Sequence, residues 1–512
     1  MQPRTRMPHD RIRCTLTRAR GVAAGLLLAL VAAGCTSVAP ERVPTRIAAP
    51  AAYRHADARA DAASHAEDPS RTPPSAPAWA AAPADGAWWR AFDDPVLDDL
   101  VARATQANPV IHEAIARLAQ ARAVARGAEA SSLPQVALAT NASHVNGPLV
   151  NAAGGEGTLL SVGAGLSYEA DLFGRIAALR DAATLDVEAR DALLRVTRLL
   201  VQAETVQSYL AWRALDDERA LVQGAVDAYR ETVALTERRW RAGHASELDL
   251  ARVRAEQVAH EADLLTIERR GTELEHALAL LAATPVARFE RLSAGRPPRL
   301  PDIPPGIPST VLERRPDVAA AWHALAAAQA RIGAAQAARL PSLTLTGSGG
   351  FAASGLADLF RMSMRAWGLG VLAALPLYDG GRRQAVTDQA VAEFDAVAAR
   401  YQQQVLVALK EVEDQLAALR VLGRQARVQQ GAVGLAARAA QLSESRHRNG
   451  LASQLELLDA RRTELRNRRL ALQIESSRQQ ATVGLIRALG GGWGDAPVRG
   501  GITAAPVAAA GR

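Results

Sequence analysis

Cysteine is missing from almost the whole chain: there are two, Cys14 and Cys35, and both lie within the first 35 residues. Their absence elsewhere excludes a disulfide framework, a CxxC metal site and a cysteine nucleophile from the body of the protein. Lysine is nearly absent as well, Lys410 being the single one. The arginines behind the net charge of +7 are scattered among acids rather than gathered on one face. No nucleic-acid partner is expected from that pattern. Aromatic residues supply only 4% of the sequence, lean for a globular enzyme core. Nothing after the leader reaches the ~20 apolar residues of a membrane helix, so any membrane span has to be β. What is plentiful is Ala, Leu, Arg, Gln and Glu, a composition that favours long helices.

The two cysteines are explained by where they sit. Arg4, Arg6, Arg11, Arg13, Arg18 and Arg20 form a basic leader, followed by GVAAGLLLALVAAG, which is too short to anchor in a bilayer. It ends in Ala32, Ala33 and Gly34, directly before Cys35. The arrangement resembles a bacterial lipoprotein signal: residues 1–34 are the expected signal peptide and Cys35 the expected lipidated first residue. Ala32 stands where Leu is usual, and ordinary cleavage with Cys35 incidental is the alternative. Thr36 and Ser37 follow, with no Asp at the second position to suggest retention at the inner membrane. Residues 35–84, rich in Ala, Pro, Asp and His without a period, are expected to be a lipid-anchored flexible arm. Residues 494–512 are expected to be a disordered tail.

The rest of the chain says nearly everything twice. RWRAGHASELDLAR, from Arg239, and RHRNGLASQLELLD, from Arg446, align at an offset of 207 and share Gly243/Gly450, Ser246/Ser453 and Leu248/Leu455. At the same offset Asn108 and Pro109 face Arg315 and Pro316, and Gly174 and Arg175 face Gly381 and Arg382. Such a long period marks a duplicated half rather than a solenoid. The expected organisation is a first repeat over 85–283, a Pro-rich connector over 284–312, and a second repeat over 313–493. Each repeat reads as a helix opened by proline, two strands, and two very long helices joined by the Gly-containing turn.

The strands carry the functional hint. In SVGAGLSYEAD, Val162, Ala164, Leu166, Tyr168 and Ala170 alternate with small or polar residues. Trp367, Leu369, Val371, Ala373, Leu375 and Leu377 alternate mostly with Ala and Gly in the second repeat, and Leu343, Leu345 and Phe351 are set against Thr344, Thr346 and Ser348. Segments of this kind with Gly-rich turns match membrane β-strands, apolar outward and polar inward. Four strands per chain cannot close a barrel, and open edges are not tolerated in lipid, so copies of the chain must pool their strands. A trimer gives twelve. Helices are expected at about 176–240, 247–283, 383–446 and 452–489. Their apolar seams include Leu193, Val196, Leu200, Ala203 and Leu210, then Leu250, Val253, Ile267 and Leu278.

In this order, WWRAFDDPVLDDL, ANPVIHEAIARLAQARA, LSYEADLFGR, ERRPDVAAAW, LPSLTLTGSGG, LPLYDGGRR and VGLIRALGGGW resemble the TolC-like outer membrane factor family, in its lipoprotein branch. The resemblance covers roughly residues 85 to 493 and is interrupted at Trp322, where Glu is usual. It implies an α+β membrane protein: a homotrimer with a twelve-stranded outer-membrane barrel continued by a long periplasmic α-helical barrel. It also implies a periplasmic adaptor (membrane fusion) protein and an inner-membrane resistance-nodulation-division pump as partners, outer membrane lipid around the barrel, and no cofactor. The role implied is a passive exit duct rather than an enzyme. A protein-secretion channel and a structural coiled-coil lipoprotein without a pore are the alternatives.

The residues themselves show no catalytic constellation. Glu411 and Asp414 in KEVEDQ read as a salt-bridging helix face, and Met362 and Met364 as loop packing rather than a soft-metal site. The differences between the repeated turns are more telling, because Asp459 replaces Arg252, Arg462 replaces Ala255 and Asn449 replaces Ala242. By resemblance the second turn supplies a constriction, with Leu455 as an apolar collar and Asp459 as an acidic ring. Arg462 and Arg252 are its expected cationic partners, and Gly243 and Gly450 serve the turns through positive φ.

Overall fold

The protein is described here from a computed structural model, covering residues 86–146, 156–290 and 308–492 together with positions 50, 52–54, 292, 298–301 and 303. The expected signal peptide, the lipidation site Cys35, the arm over 55–84 and the tail from 494 lie outside the described residues. Elements follow the expected order: α1 (Pro95–Ala107), α2 (Pro109–Ala130), β1 (Gln135–Asn146), β2 (Glu156–Ala170), α3 (Arg175–Arg241) and α4 (Glu247–Leu281). After the connector come α5 (Pro308–Arg314), α6 (Pro316–Ala337), β3 (Ser342–Ala353), β4 (Arg365–Ala374), α7 (Arg382–Arg448) and α8 (Gln454–Ala488). The bounds of α2, α3 and α4 reappear in α6, α7 and α8 shifted by 207. Among the described residues no helix is long and apolar enough to cross a membrane.

The chain divides into two compact units, one holding residues 119–189 and 321–401, the other residues 46–118, 190–320 and 402 onward. The first contains an antiparallel sheet in the order β1-β2-β3-β4. Its register puts Val136, Leu166, Gly347 and Leu369 in one row, and Leu138, Ala164, Gly349 and Trp367 in the next. Side chains paired across strands share a face, so these rows build one apolar surface across all four strands. The opposite face carries Gln135, Ser167, Thr346 and Gly370, then Ala137, Gly165, Ser348 and Gly368. Large apolar residues on the first face, Leu138, Trp367 and Leu369 among them, are exposed. Gly350 is needed where β3 pairs with β2 opposite Gly163, because a Cβ there would lie 2.1 Å from the Val162 carbonyl oxygen. In the same unit Leu325, Ala328 and Ile332 of α6 pack on Phe394 of α7.

In the second unit Trp88, Phe92, Leu97, Leu100, Tyr209, Leu278, Leu485 and Ile486 form the main core. Asp94 caps α1, accepting from the Val96 amide at 2.9 Å, and also accepts the Tyr209 hydroxyl at 2.6 Å. Burial, and that bond after it, push the Tyr209 phenol far above its ordinary range. The duplication is visible in the caps. The Asn108 amide donates to the Leu281 carbonyl and the Arg315 guanidinium to the Ala488 carbonyl, both at 2.9 Å and at positions 207 apart. Arg315 is buried and tied to Asp317 at 2.6 Å and Glu411 at 2.7 Å. Of the KEVEDQ acids, Asp414 pairs with Lys410 on the helix itself, Glu411 with Arg315, and Glu413 accepts the Arg54 amide. One apolar seam differs from the sequence reading: Ala203 and Leu210 are buried, but Leu193 and Leu200 are exposed, and the buried stripe of α3 runs through Ala192 and Leu194 instead.

Candidate functional site

Each pair of long helices closes in the same turn. Gly243 has φ 73° and Gly450 φ 72°, a region other residues enter at a cost. In the first tip the His244 amide donates to the Arg239 carbonyl at 2.7 Å and the Gly243 amide to Trp240 at 2.9 Å. In the second, Leu451 donates to Arg446 at 2.8 Å and Gly450 to His447 at 3.0 Å. This is a Schellman closure built twice. Ser246 and Ser453 then open α4 and α8, each accepting an amide three residues on at 3.1 Å.

The tips then part company. Asp249 completes a capping box on Ser246, whereas its counterpart Glu456 reaches back across the turn to Arg446 at 3.3 Å. Asn449 donates to the Ser445 carbonyl at 2.9 Å, a bond that Ala242 cannot make. Leu248 and Leu455 are both exposed, as are Arg252 and Asp459. Among the described residues neither Arg252 nor Asp459 forms an ion pair.

Arg462 has a different partner from the one the sequence suggested. Within the chain it grips Glu256 of α4 through both nitrogens of its outer edge, the Nε–Oε2 distance being 2.7 Å. That bond, above all, holds the Glu256 carboxyl below the usual range. It also raises the Arg462 guanidinium, to which nearby Asp459 adds a smaller contribution. Two further arginines of α8 tie the hairpins together. Arg461 donates to Thr232 Oγ1 at 3.2 Å, and Arg469 holds Glu218 at 2.7 Å and Asp263 at 2.9 Å. Tyr229, Val253 and Leu458 form a small buried cluster with Val233 beside it. Glu256, Arg461 and Arg469 were not singled out from sequence. The signal was present in the spacing, since Glu256 and Arg462, like Asp263 and Arg469, lie 206 apart, as helices packed in repeat register require.

No group of three or more metal-ligating side chains occurs among the described residues. The tips offer exposed charge at Arg252 and Asp459, exposed Leu248 and Leu455, and the clamps between helices.

A family model described as outer membrane efflux protein matches residues 100–284 and 307–491, two segments that are themselves offset by 207. The chain belongs to the outer membrane efflux protein family. It is 33% identical to outer membrane protein OprJ of Pseudomonas aeruginosa over 438 residues, 82% of this chain and 91% of the relative. It is 29% identical to the toluene efflux pump outer membrane protein TtgC of Pseudomonas putida over 434 residues, 82% and 89% of the two chains. Among solved structures, outer membrane protein VceC of Vibrio cholerae superposes with a TM-score of 0.75 at 28% identity. That match covers 80% of this chain and 99% of that one. The architecture inferred from sequence, duplicated helical hairpins with four antiparallel strands, is the one found, and the outer membrane is its setting.

Proposed function

We propose that three copies of this chain assemble into the exit duct of a tripartite efflux pump, conducting small molecules from the periplasm to the exterior without doing chemistry on them. The observation that supports this most directly is the sheet. It has one continuous apolar face, one small and polar face, and two edges that the chain leaves unpaired at β1 and β4. Such a sheet is stable in lipid only when its edges are closed by further copies. The toluene efflux function named for TtgC favours small-molecule cargo over protein secretion. A periplasmic adaptor and an inner-membrane pump of the resistance-nodulation-division type complete the assembly.

In this reading the second hairpin carries the gate. Leu455 supplies an apolar collar and Asp459 a ring of negative charge, both exposed at the tip. The Arg462–Glu256 clamp fixes the second hairpin against the first and so sets the aperture. Arg252, exposed on the first hairpin, is the cation available to an Asp459 that swings toward it. Planar-bilayer recordings on Leu455→Ala and Asp459→Ala test the assignment. Leu455→Ala is expected to raise conductance and Asp459→Ala to reduce cation selectivity. If both variants match the parent in both properties, the tip is not the gate.

The lipid anchor is a separate proposal resting on the basic leader, the short apolar run and Cys35. Labelling with a fatty-acid probe is expected to be lost in Cys35→Ser; retained label rules Cys35 out.

A further inference from the structure

The two strand hairpins of the sheet end differently, at the end away from the helices. At the offset of 207 the cross-strand pair His144–Thr158 of β1 and β2 corresponds to Phe351–Arg365 of β3 and β4. By register both pairs lie on the apolar face of the sheet. In the first hairpin the polar groups satisfy one another. His144 Nδ1 lies 3.1 Å from Thr158 Oγ1, and Nε2 lies 2.9 Å from the Glu156 carboxylate. In the second, Arg365 stands where the first has Thr158, and among the described residues its exposed guanidinium has no partner. It is the single charged residue on this face of β3 and β4.

The loop between β3 and β4, residues 354–364, is folded by three successive turns. The Asp358 amide donates to the Gly355 carbonyl at 3.3 Å, Arg361 to Asp358 at 3.0 Å and Met364 to Arg361 at 2.8 Å. An ion pair of 2.9 Å ties the Arg361 side chain to Asp358, and Leu359 is buried. The Phe360 ring meets the Phe351 ring edge-on, with centroids 5.9 Å apart. Since Phe351 belongs to the apolar face, this contact draws the loop to the side of Trp367 and Leu369 and away from the small polar side. Yet Leu356 is 77% exposed, and Phe360 and Met362 are 70% exposed. Met362 is therefore not the packed loop residue that the sequence suggested. Apolar side chains left bare beside an unpaired cation mark a contact surface.

We infer that this loop docks the headgroup of a phosphorylated lipid of the outer leaflet, Phe360 and Met362 entering the apolar boundary and Arg365 taking the phosphate. The inference rests on the barrel reading above, in which the apolar face of the sheet meets lipid. The loop patch continues that face through the Phe351–Phe360 contact, so the same solvent covers both. Arg365 closes the apolar row Val371, Leu369 and Trp367 at its loop end, the level at which lipid phosphates begin. A guanidinium presents a planar edge of donors that fits a phosphate, and a neutral headgroup would leave it without a counter-charge. Aromatic and thioether side chains suit the irregular boundary between acyl chains and headgroups. A protein ligand is disfavoured because Phe360 is folded back onto the sheet instead of projecting clear of the membrane. The first hairpin has no matching cation, so each chain carries one such platform.

Two measurements on the full-length chain test this. In vesicles of phosphatidylcholine with diphosphoryl lipid A, spin labels are placed by Met362→Cys in the loop, Leu369→Cys in the apolar row and Asn449→Cys on a helix tip. The unsubstituted chain is labelled alongside. Relaxation by oxygen, which enters the bilayer, is compared with relaxation by a water-soluble nickel chelate. The labels at 362 and 369 are expected to favour oxygen severalfold and the label at 449 to favour the chelate. A label at 362 that behaves like the one at 449 overturns the docking, and the barrel reading survives if the label at 369 stays in lipid. If the label at 369 also favours the chelate, both fall. In detergent, native mass then counts retained lipid A against its dephosphorylated form. The phosphorylated form is expected to be retained severalfold better, with the preference lost in Arg365→Ala and partly kept in Arg365→Lys. Equal retention of the two forms, or a preference unchanged in Arg365→Ala, overturns the phosphate assignment. Displacement of the lipid by excess inorganic phosphate overturns the lipid in favour of a free anion.

Discussion

The two hairpins of this chain share their lengths and turns but not their interiors. The first brings Tyr229, Val233 and Val253 to its tip region, where Leu458 joins them; the second has alanine at all three counterparts of its own. The first supplies acids at Glu218, Glu256 and Asp263, and the second supplies the arginines that grip them. Backbone geometry has been kept where a turn demands it, at Gly243 and Gly450, while the surfaces have specialised, acids on the first hairpin and arginines on the second. Duplication preserved the scaffold and released the faces.

The largest test of that contrast is Tyr229→Ala. Removing a buried aromatic ring costs about 3 kcal/mol locally, whereas Ala436→Gly at the matching position costs about 1 kcal/mol. Hydrogen exchange of the helix ends is expected to speed up far more in the first variant; equal effects would erase the distinction between the hairpins.

A pH titration of the clamp probes the same contrast more gently. Because Arg462 holds the Glu256 carboxyl below its usual range, the clamp contributes its full stability above the ordinary glutamate pKa of about 4.3. That contribution fades only as the pH falls through the depressed value. Spin labels placed across α4 and α8 are expected to keep their distance down to about pH 4 and to separate below it. Separation near neutrality would mean that the clamp is not what holds them.

The smallest effect concerns the caps. Asp249→Ala removes both carboxylate bonds of a capping box and is expected to destabilise the first tip by about 0.5–1 kcal/mol. Glu456→Ala loses only an exposed pair with Arg446 and costs a few tenths. Thermal scans of tip exchange in the two variants check the order.

Much of the fold could be read in advance because punctuation is strong. Pro109 and Pro316 open helices, Gly243 and Gly450 close them, and the long helix bounds differ from expectation by only one or two residues. The strands β2 to β4 announce themselves by alternation. In β1 the alternation fades after Leu138 into Thr140 and Ala142, so periodicity alone does not delimit it. Leu193 and Leu200 misled because a 67-residue helix meets different neighbours along its length, so no single seam is buried throughout. Glu256 escaped because comparing aligned positions sets it against Thr463, an unremarkable pair. Its partner Arg462 belongs to the neighbouring position of the repeat.

The caps on α4 and α8 carry a last consequence. Asn108 and Arg315 do the same task with a neutral amide and a buried cation, because each copy was free to drift on its own. In a ring of six identical chains every substitution is felt six times, and all seams must change together. With two unlike halves encoded in one gene, a substitution is felt three times, at alternate seams. Neighbouring seams can then evolve toward holding and toward yielding at once, which no strictly sixfold ancestor could encode.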